Sequence, residues 1–169
     1  MGLLILKVLV ILLLSAFFSG VEIAFVSANK LKLELDKKSD KFSAKIIAYF
    51  SKNESDFIAS MLVGNNIALV VYGIMMTDIL SLELYFDPGI PLLLVQTVIT
   101  TLIVLVTAEF LPKAIFRIYP NHILRFFSIP IWIFFILFRP IALLMLFLSK
   151  GLLTHLLGQN IKELSLIHI

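Results

Sequence analysis

The sequence predicts an all-α integral membrane protein, and three observations predict it. Hydrophobic residues make up 60% of the 169 residues and charged residues 15%, against about 45–50% and about 25% in a soluble domain. Mean hydropathy is +1.06. The apolar residues are gathered into four blocks, and half of the 14 basic residues lie in one loop between the first two.

A soluble domain of this length keeps much of its surface in water, so the apolar excess is too large for a buried core. It also excludes a disordered chain. The length allows one domain. Cysteine is absent, which removes disulfides, thiolate metal sites and thiol nucleophiles together. The net charge of +3 does not describe a nucleic-acid patch, because the lysines sit between apolar runs, where they act as topology signals.

The first block predicts a span over about 3–28, interrupted by Lys7 and Glu22. A crossing needs roughly 20 residues. A cleaved leader is the weaker reading, because the apolar run continues past Ser15-Ala16-Phe17 and leader cores are about 7–15 residues. Asn29 to Asp56 is polar and carries Lys30, Lys32, Lys37, Lys38, Lys41, Lys45 and Lys52. Within it Phe42, Ile46, Ile47 and Phe50 recur at helical spacing, predicting an amphipathic in-plane helix over about 40–52 on the membrane surface. The lysines place this loop in the cytoplasm and the N-terminus outside.

A second span follows over about 57–80. The external loop Ser81 to Ile90 holds Glu83 and Asp87 but no Lys or Arg, with a turn at Asp87-Pro88-Gly89. A third span, about 91–111, returns to Lys113, Arg117 and Arg125 on the inside. The last block, Phe126 to Leu148, is divided by Pro130, Arg139 and Pro140. Proline removes a helix hydrogen bond, and arginine in a lipid-facing span costs at least about 2.5 kcal/mol. Two short in-plane helices within about 120–150 avoid both costs, leaving three spans and a cytoplasmic C-terminus. Residues 151–169 read as a tail.

Ionisable and polar groups inside apolar runs are candidates for function. Span one has Ser19-Gly20-Val21-Glu22, span two has Ser60 and Gly64-Asn65-Asn66, and span three has Glu109 followed by Pro112. At about 1.5 Å per residue Ser19 and Asn65 both lie roughly 12–13 Å from the inner membrane surface, and Glu109 is shallower. A carboxylate, an amide, hydroxyls and carbonyls are hard oxygen donors that suit Mg²⁺ or Ca²⁺. Pro112 cannot donate to the Ala108 carbonyl, which is thereby freed. Each residue also has a structural role open to it. Ser19 and Ser60 suit hydrogen bonds to their own helices, Asn65 and Asn66 suit interhelical bonds, and Glu109 suits a pair with Lys113 at i+4. Glu22 suits a pair with a lysine, and His122, His155 and His168 are too scattered for a metal site.

Three stretches resemble the transmembrane domain shared by the CorC and CNNM magnesium transporters. They are Phe17-Phe18-Ser19-Gly20-Val21-Glu22-Ile23-Ala24, Ser60-Met61-Leu62-Val63-Gly64-Asn65-Asn66 and Glu109-Phe110-Leu111-Pro112-Lys113. The resemblance covers about 1–150. It implies a homodimer in the cell (plasma or inner) membrane, three spans per subunit and a belt of in-plane helices. It also implies a dehydrated Mg²⁺ carried as cargo by Ser19, Ser60, Asn65, Glu109 and the Gly64 carbonyl, with export driven by Na⁺ as coupling ion. Family members often have a serine where this chain has Val21, and usually continue into regulatory CBS domains that are absent here. No enzyme activity and no nucleic-acid partner are expected. The alternative is a non-transporting membrane scaffold or divalent-cation sensor; an intramembrane hydrolase is disfavoured, because no His or Lys base is predicted at the depth of either serine.

Overall fold

The computed structural model describes residues 2–29, 42–83 and 90–157, and among them every element is helical. Helix α1 is Gly2–Ser27, α2 is Phe42–Lys52, α3 is Glu54–Glu83 and α4 is Ile90–Val104. A π-helical turn, Leu105–Phe110, joins α4 to α5, Leu111–Ile118. Helix α6, Pro120–Phe126, and the long α7, Ser128–Leu157, complete the chain. The Asp87-Pro88-Gly89 turn, the lysines from Lys30 to Lys41 and residues 158–169 lie outside the described residues.

Helices α1 and α3 form the central pair; α7 packs along α3, while α5 and α6 pack on α1. A run of 26 apolar-rich residues makes α1 roughly 39 Å long, enough for the hydrocarbon core. Helix α3 starts one residue after α2 ends. The amide of Asn53 reaches back to Tyr49 and Phe50 carbonyls at 3.1 and 3.0 Å, and its own carbonyl accepts from Phe57 N–H at 3.0 Å. One residue thus closes one helix and opens the next. Glu54 and Asp56 in the first turn of α3 complement the helix dipole.

The core is aromatic. Phe25 and Phe57 rings stand 4.4 Å apart, Phe50 and Phe57 4.5 Å, Phe18 and Phe134 4.9 Å, and Phe50 and Phe135 5.2 Å. Offset and edge-on rings of this kind add about 0.5–1.5 kcal/mol each beyond their buried area. The apolar stripe of α2 is as expected at Ile46, Ile47 and Phe50, which are buried, but Phe42 at its start is 65% exposed. The stripe therefore closes onto the bundle from Ala44 onward.

The last apolar block corrects the sequence expectation. It is one 30-residue helix, α7, preceded by the short α6, and not two short helices divided by the prolines. Pro130 falls in the first turn of α7, where a missing N–H has no helical partner to lose. Pro140 lies inside the helix. Arg139 finds Asp56 at 3.6 Å and stacks 5.6 Å from the Phe135 ring centre. Four helical stretches, Gly2–Ser27, Glu54–Ile79, Leu94–Ile118 and Ser128–Leu152, are long and apolar enough to cross a membrane, one more than the three spans expected from the sequence. The third also runs past Pro112 to Ile118, because the π-helical turn absorbs the proline.

Candidate functional site

The three polar motifs meet. Asn65, on α3, is 5% exposed and sits between the other two helices. Its Oδ1 accepts from Ser15 Oγ of α1 at 2.7 Å, and its Nδ2 donates to Glu109 Oε1 at 2.9 Å. Ser19 Oγ, one turn beyond Ser15 on α1, lies 3.5 Å from Glu109 Oε2. Lys113 Nζ donates to that same Oε2 at 2.6 Å. Ser15 and Ser19 are fully buried, whereas the Glu109 side chain retains 22% exposure.

Local sequence explains the placement. Glu109 stands in the π-helical turn, in which the Leu111 N–H reaches back to the Val106 carbonyl, five residues away. Pro112 follows, and its ring would collide with the Ala108 carbonyl in a regular α-helix. Widening the turn by one residue relieves that collision, and turns of this kind recur at functional sites. Glycines set the helix spacing. A Cβ on Gly20 would stand 2.7 Å from the Phe116 ring, and one on Gly64 would stand 2.9 Å from both Phe18 and Phe138. Only a residue without a side chain allows these contacts, and they hold α1, α3, α5 and α7 at the distances the polar network requires.

Of the expected site residues, Ser19, Asn65 and Glu109 are brought together. Ser60 is buried, and its hydroxyl donates to the Asp56 carbonyl of its own helix at 2.7 Å. Gly64 packs against aromatic rings as described. Glu109 does pair with Lys113 at i+4. Ser15 was not read from the sequence as a site residue. The available signal was its spacing of four from Ser19, which puts both hydroxyls on one face of α1.

Beside Glu109 opens a cavity of 470 Å³ lined by Ile23, Leu105, Glu109, Phe110, Lys113, Ala114 and Arg117. Among the described residues no group of three or more His, Asp or Glu side chains is assembled. The donor set is thus one carboxylate with neutral oxygens, unlike a carboxylate-rich calcium loop.

Helices of membrane-spanning length around a buried polar network define a multi-pass membrane domain. Residues 5–166 match the family described as the Cyclin M transmembrane N-terminal domain, and the chain belongs to this CNNM family. It is 33% identical over 110 residues to the UPF0053 inner membrane protein YfjD of Escherichia coli, covering 65% of this chain and 25% of that protein. It is 30% identical over 149 residues to the UPF0053 protein MG146 homolog of Mycoplasma pneumoniae, covering 84% of this chain and 34% of that protein. A UPF0053 protein of Haemophilus influenzae is 26% identical over 145 residues, 86% of this chain and 34% of that protein. The chain therefore spans about a quarter to a third of the length of these relatives.

Proposed function

We propose that this domain carries Mg²⁺ across the membrane, as an exporter coupled to inward Na⁺, working as a homodimer with its N-terminus outside. It is a transporter and not an enzyme. One observation supports the reading: the hydroxyl of Ser19, the amide of Asn65 and the carboxylate of Glu109, from three apolar helices, converge on one another inside the bundle.

Ser60 and the Gly64 carbonyl are the further donors. A hydroxyl that donates to Asp56 keeps its lone pairs and still accepts a cation. Asn65 presents its NH₂ to Glu109 when no cation lies between them. With Mg²⁺ bound, the amide turns over so that Oδ1 faces the ion, and Nδ2 then donates to Ser15. A serine hydroxyl both donates and accepts, so Ser15 satisfies either orientation. Mg²⁺ prefers six oxygens at about 2.0–2.1 Å, and two hydroxyls, an amide, a carboxylate and a carbonyl approach that number. With Glu109 as the one anionic ligand, the filled site keeps a positive charge, which favours release into water.

The scaffold or sensor reading is favoured by one observation, that Lys113 already neutralises Glu109. Titration calorimetry with Mg²⁺ on the purified chain separates the two. Transport chemistry predicts saturable binding that is lost in Asn65→Ala and Glu109→Gln, with oligomeric state unchanged, and Mg²⁺ flux in liposomes that is lost with it. Unchanged heats in both variants, or a Glu109→Gln chain with full flux and a weakened dimer, would establish the scaffold.

A further inference from the structure

We propose that Lys113 is a tethered counter-ion that occupies Glu109 while the cargo is absent and passes to Glu22 when the cargo arrives; this rests on the transport reading above. Its ammonium lies 2.6 Å from Glu109 Oε2, on the oxygen that also faces Ser19. The contact is not sealed. The Lys113 side chain is 42% exposed and lines the 470 Å³ cavity beside the site. A compact charge on a flexible four-carbon stem has room to swing there.

Glu22 supplies the second station. It is partly buried on α1, three residues beyond Ser19; its chain neighbour Ile23 lines the same cavity as Lys113 and Glu109, and Gly20, two residues before it, packs on Phe116 of the helix that carries Lys113. The charges require such a station. Glu22, Glu109 and Lys113 together carry a formal charge of −1 without cargo, and a divalent cation brings them to +1. Two cations on one carboxylate repel strongly where water is scarce, so a cation reaching Glu109 evicts the ammonium. The evicted ammonium enters a cavity that Arg117 also lines, and two like charges brought side by side repel. Pairing with Glu22 offsets that repulsion. On the return stroke, Lys113 competes for Glu109 and displaces the ion, so a carboxylate ligand does not become a trap.

The test is Mg²⁺ calorimetry on the purified chain, Lys113→Met, Glu22→Gln, the double variant and Glu109→Gln, at matched ionic strength and equal elution volume on size exclusion. Lys113→Met should bind Mg²⁺ at least about fivefold tighter, which is about 1 kcal/mol at 1.4 kcal/mol per factor of ten. Glu22→Gln should bind roughly threefold weaker, and the double variant should match Lys113→Met, because no ammonium remains to be received. Unchanged or weaker binding in Lys113→Met overturns the proposal, as does a Glu22→Gln loss that persists in the double variant. If Lys113→Met does not fold, Lys113→Gln carries the same expectation. Absence of saturable binding in the parent, or full binding in Glu109→Gln, overturns the transport site itself. Glu109-dependent binding that ignores Lys113 overturns the counter-ion alone.

Discussion

Replacing Gly20 with alanine tests whether glycine spacing holds the site together. The new methyl would stand 2.7 Å from two atoms of the Phe116 ring and 2.9 Å from a third. Carbon atoms in good contact sit about 3.5–4.0 Å apart, so α5 or the ring must retreat by at least about 0.8 Å. The ring is held from the other side, stacked on Phe127 at 6.1 Å with 10° between planes, so the retreat falls on the helix. Overpacking of this kind costs about 1–3 kcal/mol, offset by up to about 1 kcal/mol from the better helix propensity of alanine. The net expectation is a destabilisation of about 1–2 kcal/mol, together with weaker Mg²⁺ binding, because α5 carries Lys113 and continues the turn that holds Glu109. Unfolding of the purified chain by SDS in mixed micelles measures the first effect and calorimetry the second. Phe116→Leu, added to Gly20→Ala, should restore most of both. A Gly20→Ala chain as stable as the parent, or one that Phe116→Leu fails to rescue, would refute the spacing argument.

Three further outcomes are expected. Asp56→Asn should cost about 1 kcal/mol in the same unfolding assay, and Arg139→Lys about as much, because an ammonium does not reproduce a guanidinium lying over the Phe135 ring. Ser60→Ala should leave stability within about 0.5 kcal/mol, since its hydroxyl bonds its own helix, yet weaken Mg²⁺ binding roughly tenfold; calorimetry showing parental affinity would remove Ser60 from the ligand set. Tyr72→Phe, which deletes a 3.3 Å bond to the Thr100 carbonyl between α3 and α4, should lower stability by about 0.6 kcal/mol or less, read from the midpoint of SDS unfolding.

The sequence made Ser19, Asn65 and Glu109 legible because polar groups in apolar runs are expensive, and the shared depth of Ser19 and Asn65, with Glu109 shallower, allowed the three to converge. Ser15 was not legible as a partner. A serine in a membrane helix satisfies itself locally in most settings, and its acceptor lies 50 residues away on α3. The same limit governed the last block. Pro130, Arg139 and Pro140 read as a divide because the cost of Arg139 was judged without Asp56, which stands in the first turn of α3. Local rules gave the cost, and a long-range pair offset it. The third helix running on through Pro112 has a similar origin, since a widened turn is a response of the backbone that no residue type announces.

The single-residue joint at Asn53 has a mechanical consequence. A hinge needs free torsions, and this elbow has few, since its amide, its carbonyl and its side chain are all engaged with the turns on either side. Helices α2 and α3 therefore behave as one bent lever. The short arm lies at the end of the bundle where Phe57, Trp132 and Phe135 gather around Phe50, and the long arm bears Ser60, Gly64 and Asn65. A displacement of the short arm that left the Asn53 hydrogen bonds intact would have to tilt the long arm with it.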